Sequence, residues 1–319
     1  MGESRPPAAD GGRGDRLPAA ARIALLAVLL VLHGLYLVGD RTWWGEWISI
    51  WPPIGWLVLA LPATFRLRSG WGLALALLLV ALHTDRPRFG PEAQARRGSL
   101  RVVSWNVAGD PRSWGYLREV GADLIAVQES AGPPPEAWEG YEWHGTLDPG
   151  VLSRFPAEPL PTRRVGPWME PQLLLVHPPE RPPLIVANVR LVLPSIVTWV
   201  AGGATSSPVE GHAERVAQYQ RLATLLAEAR STTGVGRVLV LGDFNAPARM
   251  PSLTPLERSY RDCWEQAGRG WGATATAALP IARIDHCWIA GPVEAVSVRV
   301  RRMPVSDHRM LVADLDLTG

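Results

Sequence analysis

The sequence predicts an α/β protein in which sheets pack face to face with helices outside them, preceded by an apolar helical region. Three observations support this fold class. Short apolar stretches that end on polar residues recur after residue 99 of the 319-residue chain, which is typical of buried strands. Strand–helix–strand units come first and runs of consecutive strands follow, a mixture that favours packed sheets over a purely parallel, doubly wound sheet. Closely spaced apolar runs fill much of the region before residue 85.

The N-terminal region divides by composition. Residues 1–19 are rich in Gly, Pro and Arg and show no periodicity, which predicts disorder. Residues 20–84 hold three apolar runs, Ala21 to Val38, Trp47 to Phe65 and Trp71 to Leu82. We expect two to three transmembrane helices there, because ~20 apolar residues span a bilayer and the third run is shorter. Several Trp residues lie near the ends of these runs, as interfacial anchors do. Buried helices of a soluble protein are the alternative.

The distribution of arginine predicts an orientation for these helices. With three spans and an inside N-terminus, the inner flanks carry one Arg more than the outer flanks, in the direction of the positive-inside rule. We therefore expect a multi-pass protein of the cytoplasmic membrane whose C-terminal domain lies on the outer face. If the third run does not cross, that domain lies inside. The polar, Pro- and Gly-containing residues 85–98 are expected to form a linker, and residues 99–319 a C-terminal soluble domain.

Composition limits the function classes. All 32 basic residues are Arg. After residue 97, the Asp and Glu residues slightly outnumber the Arg residues. A domain that grips nucleic acid non-specifically usually shows a strong positive excess, so a nucleic-acid substrate is possible but not favoured by charge. Cys263 and Cys287 form no metal motif; two core thiols are favoured, although outside the membrane they could pair.

Elements of the C-terminal domain follow from apolar spacing. The predicted strands are Leu100–Asn106, Asp123–Glu129, Gln172–Val176, Leu184–Val192, Val238–Leu241, Ile281–Ile289, Val293–Val300 and Met310–Leu317. The predicted helices are Trp114–Val120, which ends at Gly121, and Glu214–Ala229, whose apolar residues recur at helical spacing. A Pro-rich turn joins the third and fourth strands as a hairpin.

Polar side chains follow several of these apolar runs. They are Asn106, Glu129, Asp243 with Asn245, and Asp307 with His308; Asp285 lies within a further strand, on the face opposite His286. Each position alone is more often a turn former than a ligand. Together they supply carboxylates for a hard divalent cation and an amide, an acid and an imidazole for water and phosphate. The pattern therefore indicates metal-assisted phosphoester hydrolysis.

The same segments carry a resemblance to a known family. The matching words are Ser104–Asn106, Gln128–Glu129, Leu152–Pro156, Gly242–Asn245, Arg283–Asp285 and Ser306–His308. In this order they resemble the endonuclease/exonuclease/phosphatase superfamily with the DNase I-like fold, over residues 100–317. The resemblance implies a four-layer α/β sandwich with two central sheets. It also implies a Mg²⁺ or Mn²⁺ site between their strand ends.

The resemblance also implies roles for individual residues. The implied metal ligands are Asn106, Glu129 and Asp307, and the implied catalytic residues are Asp243, Asn245, Asp285 and His308. Asp243 and Asn245 would orient the attacking water and contact the phosphate. Asp285 would fix the tautomer of His308 and favour its charged form.

One position departs from the family pattern. Superfamily members usually have a second active-site histidine two residues after the amide of the strand that contains Asn188; here that position is Arg190. A guanidinium does not exchange protons near neutral pH but can fork onto two phosphate oxygens. We expect a working enzyme in which Arg190 binds the substrate phosphate.

The substrate does not follow from the fold, because superfamily members cut many phosphoesters. A near-neutral domain tied to a membrane favours a lipid-linked or membrane-proximal phosphate. The layout also resembles bacterial membrane proteins linked to teicoplanin resistance, which implies a polyprenyl-phosphate carrier as one candidate. A membrane-anchored endonuclease or exonuclease is the first alternative. A non-catalytic membrane receptor or scaffold is the second, disfavoured by the intact site residues. No protein partner is predicted.

Overall fold

The structure is a computed structural model that describes most of the chain. The described ranges are 19–49, 61–62, 65, 70–83, 98–145, 148–194, 207–248 and 250–317. Almost all of the predicted disordered segment 1–19, most of the predicted linker 85–98 and most of the second apolar run lie outside the described residues.

The chain forms two compact units. One comprises Met1–Gly34 and Pro53–His83, and the other comprises Leu35–Pro52 and Thr84–Gly319. The residues that follow the first apolar helix, up to Pro52, therefore belong to the same unit as the C-terminal domain.

The N-terminal helices differ in length. Helix α1 (Ala19–Val38) is followed by a 3-10 turn (Gly39–Arg41) and by helix α2 (Trp43–Ser49). Within the described residues, the segment Ala19–Arg41 is the one helix long and apolar enough to cross a membrane. Helix α3 (Gly70–His83) has 14 residues. At ~1.5 Å per residue it is about 21 Å long, less than the ~30 Å of a hydrocarbon core.

The second unit contains twelve described strands and four further described α-helices. The strands are β1 (Leu100–Asn106), β2 (Leu124–Gln128), β3 (Glu142–His144), β4 (Gly150–Ser153), β5 (Ala157–Pro159), β6 (Gln172–Val176), β7 (Leu184–Arg190), β8 (Val238–Asp243), β9 (Arg261–Asp262), β10 (Asp285–Ala290), β11 (Glu294–Arg301) and β12 (Met310–Asp316). The helices are α4 (Ser113–Val120), α5 (Pro208–Thr233), α6 (Thr254–Glu257) and α7 (Cys263–Ala267).

These strands form two six-stranded sheets. Their orders are β11-β12-β1-β2-β4-β3 and β5-β6-β7-β8-β10-β9. Each sheet has one parallel pair near its centre, β1 with β2 and β7 with β8, and the other pairs are antiparallel. The carboxyl ends of a parallel pair lie at the same edge of a sheet. The two central pairs thus bring four strand ends to positions where side chains can converge.

Alternation along the strands builds three apolar layers. Val102 packs in the core between the two sheets, while its neighbour Val103 packs on the other face of β1 with Leu117 of α4, because successive strand residues point to opposite faces. On the outer side of the second sheet, Leu222 of α5 packs against Val240 of β8. The result is the expected mixed α/β architecture with two central sheets between helices.

Helix α5 is the longest described element of this unit and starts earlier than its apolar spacing predicts. Ser207 caps it, because its hydroxyl accepts from the Glu210 amide while the Glu210 carboxylate accepts from the Ser207 amide, a capping box. It ends at Gly234 in the left-handed conformation, as helices often do. The early start adds the residues before Glu214, and these include the buried His212.

Several short strands were not predicted. They are β3, β4, β5 and β9, with two to four residues each. Gly150–Ser153 is mixed in composition and is held by pairing with β2 on one side and β3 on the other. The strand predicted over Ile281–Ile289 begins later, at Asp285. Tertiary pairing decides these boundaries more than local preference does.

Candidate active site

A tight turn after β8 carries two of the predicted catalytic residues. Gly242 adopts φ +143°, and a Cβ at this position would overlap the Val189 carbonyl of the neighbouring strand. Asn245 adopts a left-handed conformation with φ 49°, which is uncommon outside glycine and is typical of functional sites. We call Asp243–Ala246 the catalytic turn. The glycine lets β8 approach β7 closely while the chain leaves the sheet sharply.

Asp243 lies at the centre of the site and is buried. Its Oδ1 accepts from the Asn245 backbone amide at 2.9 Å and its Oδ2 from Asn245 Nδ2 at 3.1 Å. Asn106, at the end of β1, donates from Nδ2 to the same Oδ2 at 3.1 Å. The two sheets therefore meet at this carboxylate, since Asn106 belongs to one sheet and Asp243 to the other.

Glu129 follows β2 and faces the same centre. Its Oε1 accepts from Asn106 Nδ2 at 3.0 Å. Its backbone is left-handed, with φ 54°, and its amide donates to Asp148 Oδ1 at 2.8 Å. The carboxylate remains about a third exposed, so it is open to a ligand from solvent.

Arg190 ends β7 and forks between two carboxylates. Its Nη2 donates to Glu129 Oε1 at 2.8 Å, and its Nη1 donates to Asp148 Oδ2 at 2.8 Å. Burial alone would lower the pKa of Arg190, but the charges of Asp148 and Glu129 raise it. The predicted phosphate binder is thus a fixed cation beside the predicted metal ligand Glu129.

His308 and Asp285 form a close pair. His308 Nδ1 lies 2.9 Å from Asp285 Oδ2 and 3.2 Å from Oδ1. Burial lowers the pKa of His308, but the charge and hydrogen bond of Asp285, with a smaller contribution from Asp243, outweigh it and raise that pKa to about 10. Thr274 fixes the carboxylate's strand end, because its Oγ1 accepts from the Asp285 amide at 3.1 Å. The imidazole is therefore held as a cation with Nε2 directed away from Asp285.

The free edge of this imidazole faces Asp243. His308 Nε2 lies 4.0 Å from Asp243 Oδ2, beyond hydrogen-bond distance. Burial raises the pKa of Asp243, and the nearby charge of Asp285 raises it further. A substrate oxygen between the two groups can accept a hydrogen bond from the imidazolium.

Asp307 stands apart from the other predicted site residues. Its side chain is exposed, and its backbone carbonyl accepts from the Ala277 amide at 2.6 Å. Within the described part of the chain, no hydrogen bond joins its carboxylate to the other predicted ligands. The structure thus brings Asn106, Glu129, Asp243, Asn245, Asp285, His308 and Arg190 together and leaves Asp307 at the rim.

Two groups of residues could hold a metal ion. Ligand atoms of Asp243, Asp285 and His308 lie within 4.8 Å of one another. The second group is Glu129 with Asn106. We favour the second for a hard divalent cation, because the partly exposed Glu129 carboxylate offers oxygen ligands and because His308 is held as a cation by Asp285. Asn106 would turn its Oδ1, which accepts from the Ala108 amide, toward such an ion. The donor set fits Mg²⁺ or Mn²⁺, because four carboxylates, those of Glu129, Asp148, Asp243 and Asp285, lie around one guanidinium and one imidazole.

Sequence reasoning did not find several residues that support the site. Asp148, in a loop before β4, fixes both Glu129 and Arg190. Gln128 donates to Asn188 Oδ1 at 2.6 Å, and this buried amide pair links the two sheets beneath the site. The Asp148-Pro-Gly sequence has only the signal of a turn. Its role depends on the position of β2, which local sequence does not give.

Comparison with known proteins agrees with this geometry. The sequence profile of the endonuclease/exonuclease/phosphatase family matches residues 103–308, well over half of the chain. Among curated protein sequences the chain has no match.

Solved structures with the same fold span most of the C-terminal domain. Truncated TDP2 from Caenorhabditis elegans is 17% identical with a TM-score of 0.52, covering 70% of this chain and 99% of that one. The human Nocturnin catalytic domain with bound sulfate is 16% identical with a TM-score of 0.51, covering 70% and 96%. A mannosyl-6-phosphatase from Bacteroides thetaiotaomicron is 14% identical with a TM-score of 0.51, covering 68% and 100%. At these identities the likeness shows the fold alone.

Proposed function

Because the chain belongs to the endonuclease/exonuclease/phosphatase family, whose members hydrolyse phosphoester bonds, we propose that it is a membrane-anchored, divalent-metal-dependent phosphoester hydrolase. One observation carries this proposal. Asn106 donates to both Glu129 and Asp243, and so joins a predicted metal ligand on one sheet to a predicted water-handling acid on the other.

The site residues suit the parts of such a reaction. A Mg²⁺ or Mn²⁺ ion held by Glu129 and Asn106, with Asp307 at the rim, would polarise the phosphoryl group as a Lewis acid. Asp243, fixed by two donors from Asn245, would orient the attacking water and accept its proton. The His308 imidazolium would donate from Nε2 to a phosphate oxygen.

Arg190 would add a second cationic contact. In the structure its guanidinium is fixed by Asp148 as well as by Glu129. Asp148 would keep the fork in place while Glu129 turns to a metal. The preserved fork could then bind a phosphate oxygen without losing its counter-charge.

The hydrolase proposal is tested on the purified full chain in detergent with Mg²⁺ or Mn²⁺. Initial rates are measured on bis-p-nitrophenyl phosphate, p-nitrophenyl phosphate, polyprenyl diphosphate and plasmid DNA. We expect metal-dependent hydrolysis that Glu129→Gln lowers by roughly a hundredfold or more. Glu119→Gln, at an exposed position on α4, is the matched control and should keep the wild-type rate. Wild-type protein inactive on every phosphoester would refute the proposal.

Two exposed apolar side chains support a substrate with an apolar part. Leu193 lies three residues after Arg190 and is 42% exposed. Leu279 is 71% exposed, in the loop in which the Ala277 amide donates to the Asp307 carbonyl. Both residues place an exposed apolar side chain close in sequence to a predicted site residue or to a residue that contacts one. The domain also has no excess of positive charge. We therefore propose a lipid-linked or membrane-proximal phosphate. In the substrate panel, salt-sensitive cleavage of plasmid with no cleavage of the polyprenyl diphosphate would favour the nuclease alternative.

Contacts of the segment after α1 support an outer location for the catalytic domain. Asp40 and Glu46 pair with Arg215 and His212 of α5, so this segment and the catalytic domain lie on the same side of a membrane. Either one crossing by α1 or three spans in total satisfies this condition. With a cytoplasmic N-terminus, the domain would then lie outside.

Sidedness is tested with a membrane-impermeant maleimide on intact cells. Both native cysteines are buried, so introduced cysteines report position. We expect Glu119→Cys to be labelled in intact cells and Ser4→Cys only after lysis. Labelling of Ser4→Cys and protection of Glu119→Cys would place the domain inside instead.

A further inference from the structure

The backbone of the catalytic turn is held by side chains from behind. Three successive carbonyls each accept a hydrogen bond from a buried side chain: Phe244 from Tyr219 Oη at 2.7 Å, Asn245 from Arg215 Nη2 at 3.2 Å, and Ala246 from His286 Nε2 at 2.8 Å. None of the three donors faces the predicted substrate position. They fix the turn rather than the substrate.

Arg215 differs from the other two donors because it carries a charge. The residue is fully buried, and a buried charge needs a partner. Its Nη1 donates to Asp40 Oδ2 at 2.8 Å, and Glu46 Oε1 lies 3.9 Å from its Nε. Both acids come from the segment after α1, so the counter-charge of this helix residue is supplied from outside residues 98–319.

Asp40 is itself fixed in the second unit. Its Oδ1 accepts from the Ser252 amide at 2.9 Å, and Gly39 lies against Pro251. Glu46 Oε2 lies 2.6 Å from His212 Nδ1. The segment is therefore attached at two points, one on each side of Arg215, and the guanidinium cannot shift without breaking one of its contacts.

We propose that Arg215 is a positioning residue for the catalytic turn, and that Asp40 of the segment after α1 holds Arg215 in the position that this role requires. The proposal rests on the proposed phosphoester hydrolysis. The left-handed Asn245 is a strained conformation, and its carbonyl contact with Arg215 opposes relaxation. If the turn relaxed, Asn245 Nδ2 would leave Asp243, and small displacements of a reacting group cost large factors in rate.

The test uses four variants of the full chain in detergent. Asp40→Asn removes the hydrogen-bonded counter-charge and leaves the more distant Glu46, and Arg215→Lys keeps the charge but loses the fork that reaches Asn245. The double variant Asp40→Asn with Arg215→Met removes both charges and still leaves the Asn245 carbonyl without its donor. Arg221→Met is the control, on the same helix, where Arg221 is exposed and its partner Glu214 is partly exposed.

We expect a specific pattern of kinetics. Arg215→Lys, Asp40→Asn and the double variant each lower kcat by roughly 10- to 100-fold, with KM within about twofold. The double variant regains a melting temperature near that of the wild type, because Arg215 and Asp40 no longer leave each other unpaired and Glu46 keeps its contact with His212, while its kcat stays low. Arg221→Met keeps both values. A purely structural role would instead let kcat recover together with the melting temperature.

A second readout does not depend on activity. Hydrogen–deuterium exchange of the peptide that covers Gly242–Ala246 should quicken in the three variants and not in Arg221→Met. If the wild type hydrolyses no phosphoester but exchange quickens as expected, the proposed function fails and the positioning of the turn stands. Wild-type kcat and exchange in folded Arg215→Lys and Asp40→Asn would overturn the inference. Failure of all three variants to fold would overturn it too, since the role would then be structural.

Discussion

At the scale of single residues, Arg190 is the point at which this chain departs from its family's pattern. The guanidinium forks between Glu129 and Asp148 and is half-buried between them. Asp148 keeps the cation in place whether or not Glu129 turns to a metal. We infer that this position exchanges a proton-transferring histidine for a permanent charge.

Arg190→Ala is expected to raise KM for a phosphodiester by about 10- to 100-fold, since charged hydrogen bonds contribute about 1.5–3 kcal/mol each. A smaller fall in kcat should follow, because Glu129 loses its neighbour. Steady-state kinetics on the purified full chain measure both values. Arg163→Ala, whose partner Glu228 is exposed, is the control. Unchanged turnover and affinity in Arg190→Ala would remove the phosphate role.

Asp285→Asn is expected to lower kcat by roughly 10²- to 10⁴-fold without unfolding the protein. The substitution keeps the shape of the side chain but removes the charge that holds His308 as a cation, and comparable carboxylate-to-amide changes cost that much where an acid fixes a catalytic imidazole. Single-turnover hydrolysis separates this effect from binding. Asp110→Asn, at a partly exposed position outside the site that pairs with the exposed Arg112, serves as its reference. Wild-type kcat in Asp285→Asn would mean that the imidazole does not act in catalysis.

The two cysteines are expected to be unreactive in the folded chain. Burial raises the pKa of the Cys263 thiol, and its hydrogen bond with Cys287 raises it further, so little thiolate forms near neutral pH. Titration with a disulfide reagent should detect no thiol in native protein and two after denaturation. One or no thiol after denaturation without reductant would point to a disulfide instead.

At the scale of elements, strand ends were predictable and their supports were not. Apolar runs that end at Asn106, Glu129 and Asp243 predict both a buried strand and a polar residue at its end. Local sequence is therefore enough to predict these strand ends. Asp148 and Arg215 have no such signal. Each acts through a partner distant in the sequence, and nothing in the residues beside it indicates that partner.

In the segment after α1, the partners of the acidic residues are even harder to predict from local sequence. Asp40 and Glu46 lie between apolar runs, where a loop with two acids has no evident purpose. Their burial against α5 follows from the counter-charge that Arg215 needs. A buried arginine at a helix position is itself uncommon, but the sequence does not show that this position is buried.

The effect of Arg215→Met on stability should differ between the full chain and a fragment of residues 98–319, which lacks the segment after α1. In this fragment Arg215 is without Asp40 and Glu46, so Arg215→Met should raise the free energy of unfolding by about 1–4 kcal/mol. In the full chain the same change leaves Asp40 unpaired and should lower that free energy by about 3–5 kcal/mol.

Denaturant unfolding of all four proteins measures these opposite signs. Arg221→Met, at an exposed position whose partner Glu214 is partly exposed, should change stability by less than about 1 kcal/mol in both backgrounds. The same sign for Arg215→Met in the fragment and in the full chain would show that the segment after α1 does not supply the counter-charge.

At the scale of the whole molecule, the segment after the apolar helix α1 and the two central sheets belong to one compact unit. The candidate site lies at the ends of the central strands of these sheets. The segment that follows the apolar helix α1 is therefore in contact, through Asp40 and Glu46, with the helix α5 that supports the catalytic turn. This connection gives an account of why a site of this kind is joined to an apolar N-terminal region.

The central claim is that Glu129 and Asn106 hold a divalent cation that phosphoester hydrolysis requires. The most direct measurement strips the purified full chain with EDTA and follows its hydrolysis rate as Mg²⁺ or Mn²⁺ is added back. The account predicts no activity without metal, saturable recovery in the wild type, and a metal requirement in Glu129→Gln at least about tenfold higher, as loss of one charged ligand implies. Full activity in EDTA, or an unchanged metal titration in Glu129→Gln, would contradict it.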